Sequence, residues 1–210
     1  MLPTTSSLRV SRHLPVGAEI LSEGAGVHFR VWAPARRSVE VALESASGTQ
    51  RFPLQREDNG YFSAIIEQAA SGSLYRFVLD GGPAFPDPAS RFQPQGPHGP
   101  SQVVDWERFA WKDQSWRGVP LKGQVIYEFH VGTFTPEGTW RAAAQKLPYL
   151  RETGITVLEM MPVAEFAGRF GWGYDGVDLF APTRLYGLPD DLRFFVDQAH
   201  AIGIGVVLDV

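Results

Sequence analysis

The chain contains no cysteine. That absence removes disulfides, thiolate metal sites and a cysteine nucleophile together, although it fixes no compartment. Long apolar runs are missing too, and nothing approaches the roughly 20 consecutive apolar residues of a membrane span. The first twenty residues carry Arg9, Arg12 and His13 but no apolar signal-peptide core. A cytoplasmic protein with no membrane partner is therefore expected. Nor is there a basic excess. Nineteen Lys and Arg stand against 23 Asp and Glu, a formal net charge of −4. No nucleic-acid partner is expected, because phosphate binding needs a concentrated basic face. The five histidines are scattered without metal-ligand spacing. Neither a metal nor any other cofactor is signalled.

What is present is core-forming material. The 210 residues are 44% hydrophobic, 12% aromatic and 20% charged, which excludes disorder for the chain as a whole. The length suits more than one small domain. Residues 16 to about 80 read as β: Val27–Val31, Val39–Leu43, Tyr61–Ile66 and Leu74–Val78 are short apolar runs, most of them alternating with polar residues. Ser45–Gly48 and Glu57–Gly60 carry the Gly and Asn that tight turns accept. Strands at this spacing suggest a small β-sandwich.

Six of the sixteen prolines fall between Pro83 and Pro100, which predicts an extended connection. Trp106, Trp111 and Trp116 follow at a period of five, fitting neither helix nor strand. They read as apolar mortar between domains rather than as sugar platforms. From Gly123 the pattern becomes β-α-β-α-β, with strands Val125–Val131, Ile155–Val163 and Ile204–Val210. The first is expected to be buried on both faces. Thr139 caps a helix over Trp140, Ala143, Leu147 and Leu150, which Pro148 should kink or break and Gly154 should end. Pro189, Asp190 and Asp191 open a second helix with the apolar stripe Leu192, Phe195, Val196, Ala199 and Ile202. Alternating strands and helices predict a parallel sheet. The domain organisation expected is a tail over 1–15, the sandwich over 16–82, a Pro/Trp-rich segment over 83–122 and a β/α unit over 123–210.

Gly171-Trp172-Gly173-Tyr174-Asp175-Gly176 spells G-x-G-x-x-G. The dinucleotide version must follow a strand directly and open a helix. Here Ala164–Arg169 intervenes and no helix opens before Pro189, so a nucleotide enzyme is disfavoured. Glu128 and Glu159 fall mid-strand and read as buried, hydrogen-bonded structural carboxylates; Asp209 at the end of the third strand is better placed for chemistry. His130 reads as a hydrogen-bonded core histidine. The stretch Ala164–Gly187 is too long for a plain connection and carries Phe166, Phe170, Trp172, Tyr174, Phe180 and Tyr186 beside Asp175 and Asp178. Aromatic faces next to carboxylates suit a sugar, whose C–H face stacks while its hydroxyls bond to oxygen.

The wording Tyr127–Thr139, Met161-Pro162-Val163, Gly171–Val177 and Val206–Val210 resembles the α-amylase superfamily. Val31-Trp32-Ala33-Pro34 and the stretch from Tyr75 to Arg91 resemble the immunoglobulin-like carbohydrate module that precedes its barrel. The His130–Thr139 and Gly171–Asp178 wording favours the trehalohydrolase branch over the branching and debranching branches. The resemblance implies an immunoglobulin-like β-sandwich followed by the first part, three β/α units, of an α/β TIM barrel. It also implies retaining hydrolysis of the α-1,4 bond next to the terminal trehalose unit, with maltooligosyltrehalose or a related α-glucan as partner. Tyr174 corresponds to the tyrosine packed on the glucose ring in the cleavage subsite, Asp209 to the aspartate opening the first signature, and Trp172 to a wall of the same subsite. The nucleophile, acid/base glutamate and third carboxylate belong after later strands, so no catalytic residue is assigned here. A (β/α)₈ barrel takes about 250 residues and only about 90 follow Gly123, so the chain reads as the front of a larger enzyme with an unpaired edge on its third strand. The alternatives are a branching or debranching enzyme, or a non-catalytic carbohydrate-binding protein.

Overall fold

The computed structural model describes residues 12–21 and 24–210. Most of the tail expected over 1–15, including Arg9, lies outside the described residues.

Among the described residues nine strands form two antiparallel sheets. The first runs β1(Gly17–Ile20), β2(Val27–Trp32), β6(Tyr61–Ile66), β5(Gln55–Arg56); the second runs β4(Gly48–Pro53), β3(Val39–Ser45), β7(Leu74–Leu79), β8(Ala84–Phe85), with β9(Ser101–Gln102) also on β7. One face of each sheet supplies the core, where Val27, Phe29, Val41, Phe62 and Phe77 are buried. Tyr75 lies edge-on to Phe29 and Phe77, with ring centroids 4.8 and 5.8 Å away, a preferred aromatic geometry. The Glu57–Gly60 turn forms as its residues require. Asn59 has φ 62°, and a Cβ on Gly60 would lie 2.6 Å from Pro34.

Alternation fails at His28, which is buried in β2 beside its buried neighbours. The Arg12 guanidinium lies 2.9 Å from its Nδ1 and donates to the His28 and Gly17 carbonyls. Burial, and then the charge of Arg12, push the imidazole down to about 4. A neutral ring can accept that bond.

The proline-rich segment is more than a connection, because β8 and β9 extend the second sheet. Asp87 clamps it there: its fully buried carboxylate accepts from the Tyr75 hydroxyl at 2.6 Å and from the Ala89 amide at 2.8 Å. Of the tryptophans, Trp116 packs within the second half of the chain. It stacks on His200, centroids 4.4 Å apart and planes 9° from parallel.

The second half contains a three-stranded parallel sheet, β10(Ile126–Phe129), β11(Val157–Met160), β14(Gly205–Leu208), in that spatial order. Between them lie α1(Val131–Phe134), α2(Trp140–Ala144), α3(Leu147–Glu152), the hairpin β12(Ala164–Glu165) and β13(Asp178–Pro182), and α4(Pro189–Ala201). Thr139 caps α2 by accepting from the Ala142 amide. Pro148 sits in the first turn of α3, where its missing N–H costs nothing, so the expected kink is a clean break into two helices. Asp191 closes the start of α4 by accepting from the Leu188 amide at 2.9 Å. The predicted stripe of α4 packs with Phe129, Leu158 and Met160 under the sheet.

One expectation is corrected. β10 is not buried on both faces; its first three residues are exposed. Register pairs Glu128 with Glu159 and Glu159 with Val207, so these three share the face opposite the helices. Val119 packs over the Gly205 end of that face, where Val157 is buried, but Glu128 is exposed and Glu159 only half-buried. Among the described residues the burial expected of the two glutamates is therefore not seen.

Candidate functional site

The stretch 164–187 is an ordered hairpin rather than a free loop. Glu165 and Asp178 pair across its base. Glu165 is fully buried, accepts the Arg184 amide at 2.8 Å and forms an ion pair with the Arg184 guanidinium. Asp178 is buried with Oδ2 lacking any partner among the described residues. Burial, and then the charge of Glu165, push its carboxyl up to about 6. Gly173 (φ 99°) could not carry a side chain, since a Cβ would fall 2.4 Å from the Pro162 carbonyl oxygen. No helix opens at the glycine motif, so the helix N-terminus of a dinucleotide site is absent there.

Tyr174 and Asp209, 35 residues apart in sequence, meet. The phenol donates to Asp209 Oδ2 at 2.5 Å. Asp209 stands just past β14, its amide bonded to the Met160 carbonyl at 2.9 Å, so the sheet ladder fixes its position. The Tyr174 hydroxyl is held above its ordinary value, first by this hydrogen bond and less by the charges of Asp209, Glu128 and Glu159. The ring itself is 60% exposed. An exposed aromatic face with an anchored hydroxyl is a platform that loses little freedom on binding.

Beside this pair lies a cavity of about 510 Å³ lined by His130, Gly132, Thr133, Met161, Phe166, Arg169, Phe170, Gly171, Trp172, Asp175 and Tyr186. Its size and its apolar walls with a few polar groups are those of a small-ligand site. Trp172, 77% exposed, forms part of the wall. The structure thus joins Tyr174 to Asp209 directly and places Trp172 on the cavity alongside. Sequence reasoning named Tyr186 only among the aromatics suited to a sugar and took His130 for a core residue. His130 is hydrogen-bonded as expected, to the Gly171 carbonyl at 2.8 Å, but it faces the cavity rather than a closed core. The signal was Gly132, two residues on, in the single helical turn α1 that follows the strand. Among the described residues no three His, Asp or Glu side chains converge as a metal site.

Two family models match, the carbohydrate-binding module 48 (isoamylase N-terminal domain) over residues 15–89 and the alpha amylase catalytic domain over residues 102–210. The chain belongs to the α-amylase catalytic-domain family. It is 46% identical, over 99% of its length, to malto-oligosyltrehalose trehalohydrolase of Deinococcus radiodurans, covering 34% of that protein. It is 39% identical over 94% of its length to a 1,4-alpha-glucan branching enzyme of Photobacterium profundum, covering 31% of it. A solved structure described as a candidate alpha amylase from Salmonella typhimurium superposes with a TM-score of 0.87 at 47% identity, over 93% of this chain and 33% of that one. The chain therefore spans about a third of the length of the relatives it matches. Its sandwich followed by parallel β/α units is the start of an amylase-family architecture, and the sequence resemblance is thereby confirmed.

Proposed function

We propose that this chain supplies the sugar-binding front of a cytoplasmic retaining glycoside hydrolase. That enzyme cleaves the α-1,4 bond next to the terminal trehalose unit of maltooligosyltrehalose and releases trehalose. The observation that carries the reading is the Tyr174–Asp209 pair, an exposed ring fixed by a carboxylate beside an aromatic cavity. In it Tyr174 stacks on a glucose ring, Trp172 walls the same subsite and Asp209 orients the stack and accepts sugar hydroxyls. Three residues of the 210 are assigned to binding and none to bond cleavage. The chain by itself is accordingly a binder of α-glucan and inactive as a hydrolase. The relatives named as trehalohydrolases support the choice of bond.

A retaining reaction needs one carboxylic acid to protonate the leaving oxygen and a carboxylate about 5–5.5 Å away to form the glycosyl-enzyme. The part played by the present residues is to hold the glucose ring in register for that pair. The test is calorimetric titration of the chain with maltotetraose, together with product analysis of the whole enzyme on maltooligosyltrehalose. Saturable binding and trehalose as the small product are expected. A second reading, a branching enzyme, is favoured by the Photobacterium profundum relative. New α-1,6 linkages in the products would establish it in place of the first.

A further inference from the structure

His130 and Tyr186 have so far only lined the cavity. His130 Nε2 lies 2.8 Å from the Gly171 carbonyl oxygen and 3.0 Å from the Tyr186 hydroxyl oxygen. A carbonyl oxygen has no proton to give, so at this distance Nε2 must carry one. The tyrosine oxygen then meets an N–H rather than a lone pair. It accepts, sharing the imidazole proton with Gly171, and its own O–H is left without a protein acceptor among the described residues.

The arrangement is built rather than incidental. A Cβ on Gly132 would come within 2.8 Å of the Tyr186 ring and 2.9 Å of the His130 ring. A Cβ on Gly171 would come within 2.8 Å of the Phe166 ring. Hydrogen is thus the side chain that lets the two rings and the carbonyl close on one another. The Tyr186 ring is otherwise buried, edge-on to Trp140 and His130. That leaves the cavity as the direction open to its proton, and burial keeps the phenol protonated by pushing it up to about 12.

We infer that Tyr186, turned by His130, is a hydrogen-bond donor into the cavity and binds an acceptor oxygen of an α-glucan ring seated against Trp172. The inference rests on the α-glucan reading above and adds a substrate-binding residue, with His130 as its positioning residue. A ring hydroxyl or glycosidic oxygen is the matching chemistry, because Phe170 and Trp172 supply apolar faces around the directed donor, with Thr133 and Arg169 as further polar groups in the lining.

Two measurements on the 210-residue protein test it. Long-range ¹H–¹⁵N correlation of the histidine rings, with His130→Gln to assign the signal, should show the neutral Nε2–H tautomer for His130. The Nδ1–H tautomer would overturn the inference, whatever the protein binds. Titration with maltotetraose should give a Kd about tenfold weaker for Tyr186→Phe, the worth of one hydrogen bond to a neutral group, with Tm unchanged. Equal affinity of Tyr186→Phe and the unsubstituted chain overturns this inference alone. An unsubstituted chain that binds no maltotetraose overturns both this inference and the α-glucan reading. Should Tyr186→Phe fail to fold, the tautomer of the unsubstituted protein decides.

Discussion

Glu165 and Asp178 face each other as register partners at the base of the hairpin that carries Trp172 and Tyr174. Both are buried acids. Arg184 neutralises Glu165, whereas Asp178 keeps an oxygen without a partner. Below about pH 6 Asp178 keeps its proton, so only one of the two carboxylates is charged there.

A pH dependence follows from Asp178. Its folded value, about 6, lies above the ordinary carboxyl value of 3.8. As pH rises from about 4 to 6 the unfolded carboxyl ionises while the folded one does not, so stability is lost across this window and stays lost above it. The loss should be about 1–2 kcal/mol. Urea unfolding at several pH values should show this fall, and Asp178→Asn should abolish it.

Arg184→Ala should be the more damaging change in the hairpin. It leaves the Glu165 carboxylate buried without its counter-ion, which costs about 3–5 kcal/mol in sites of this kind. Glu165 retains the Arg184 amide, so the lower end is expected. Thermal unfolding of the variant reads it, and a loss under 1 kcal/mol would show the pair to be ornamental.

Along α4, Arg193, Asp197 and His200 recur at helical spacing and tie down the segment before β10. Arg193 donates to the Asp105 carbonyl, Asp197 accepts from the Lys112 amide at 2.7 Å, and His200 Nδ1 lies 2.7 Å from Asp113 Oδ2. His200→Ala removes the Trp116 stack as well. Limited proteolysis should then cut within 105–118 several times faster, at a cost of about 1–2 kcal/mol in global stability.

Gly173→Ala tests whether the aromatic hairpin tip needs its backbone. The added methyl meets the Pro162 carbonyl and a positive φ together, so the tip must move. Glucan affinity should fall severalfold while Tm drops by only a few degrees, since the exposed tip contributes little burial.

The elements with strong local chemistry were legible in the sequence. Pro189 with the two following acids, the Thr139 cap and the Asn59-Gly60 turn each state a backbone requirement within four residues, and each formed where expected. The hairpin β12–β13 was not legible. Its strands are two and five residues long and are held by Glu165, Asp178 and Arg184 across 19 residues, a distance that periodicity does not span. Burial of Glu128 and Glu159 was misread for a related reason. An apolar run suggests two covered faces, but coverage depends on what packs above it, and Val119 covers the face they share only at its Val157–Gly205 end. Tyr174 and Asp209 were each named from the family resemblance; their contact came from the fold.

The central claim is that the exposed Tyr174 ring, anchored by Asp209, is a platform for glucose. Titrating the chain and its Tyr174→Ala variant with maltotetraose tests it most directly, with Tm followed alongside. The account predicts affinity weaker by about tenfold, the worth of one ring stack, and a nearly unchanged Tm. Unchanged affinity with a large fall in Tm would contradict it, and would make Tyr174 a structural tie between the hairpin and the sheet.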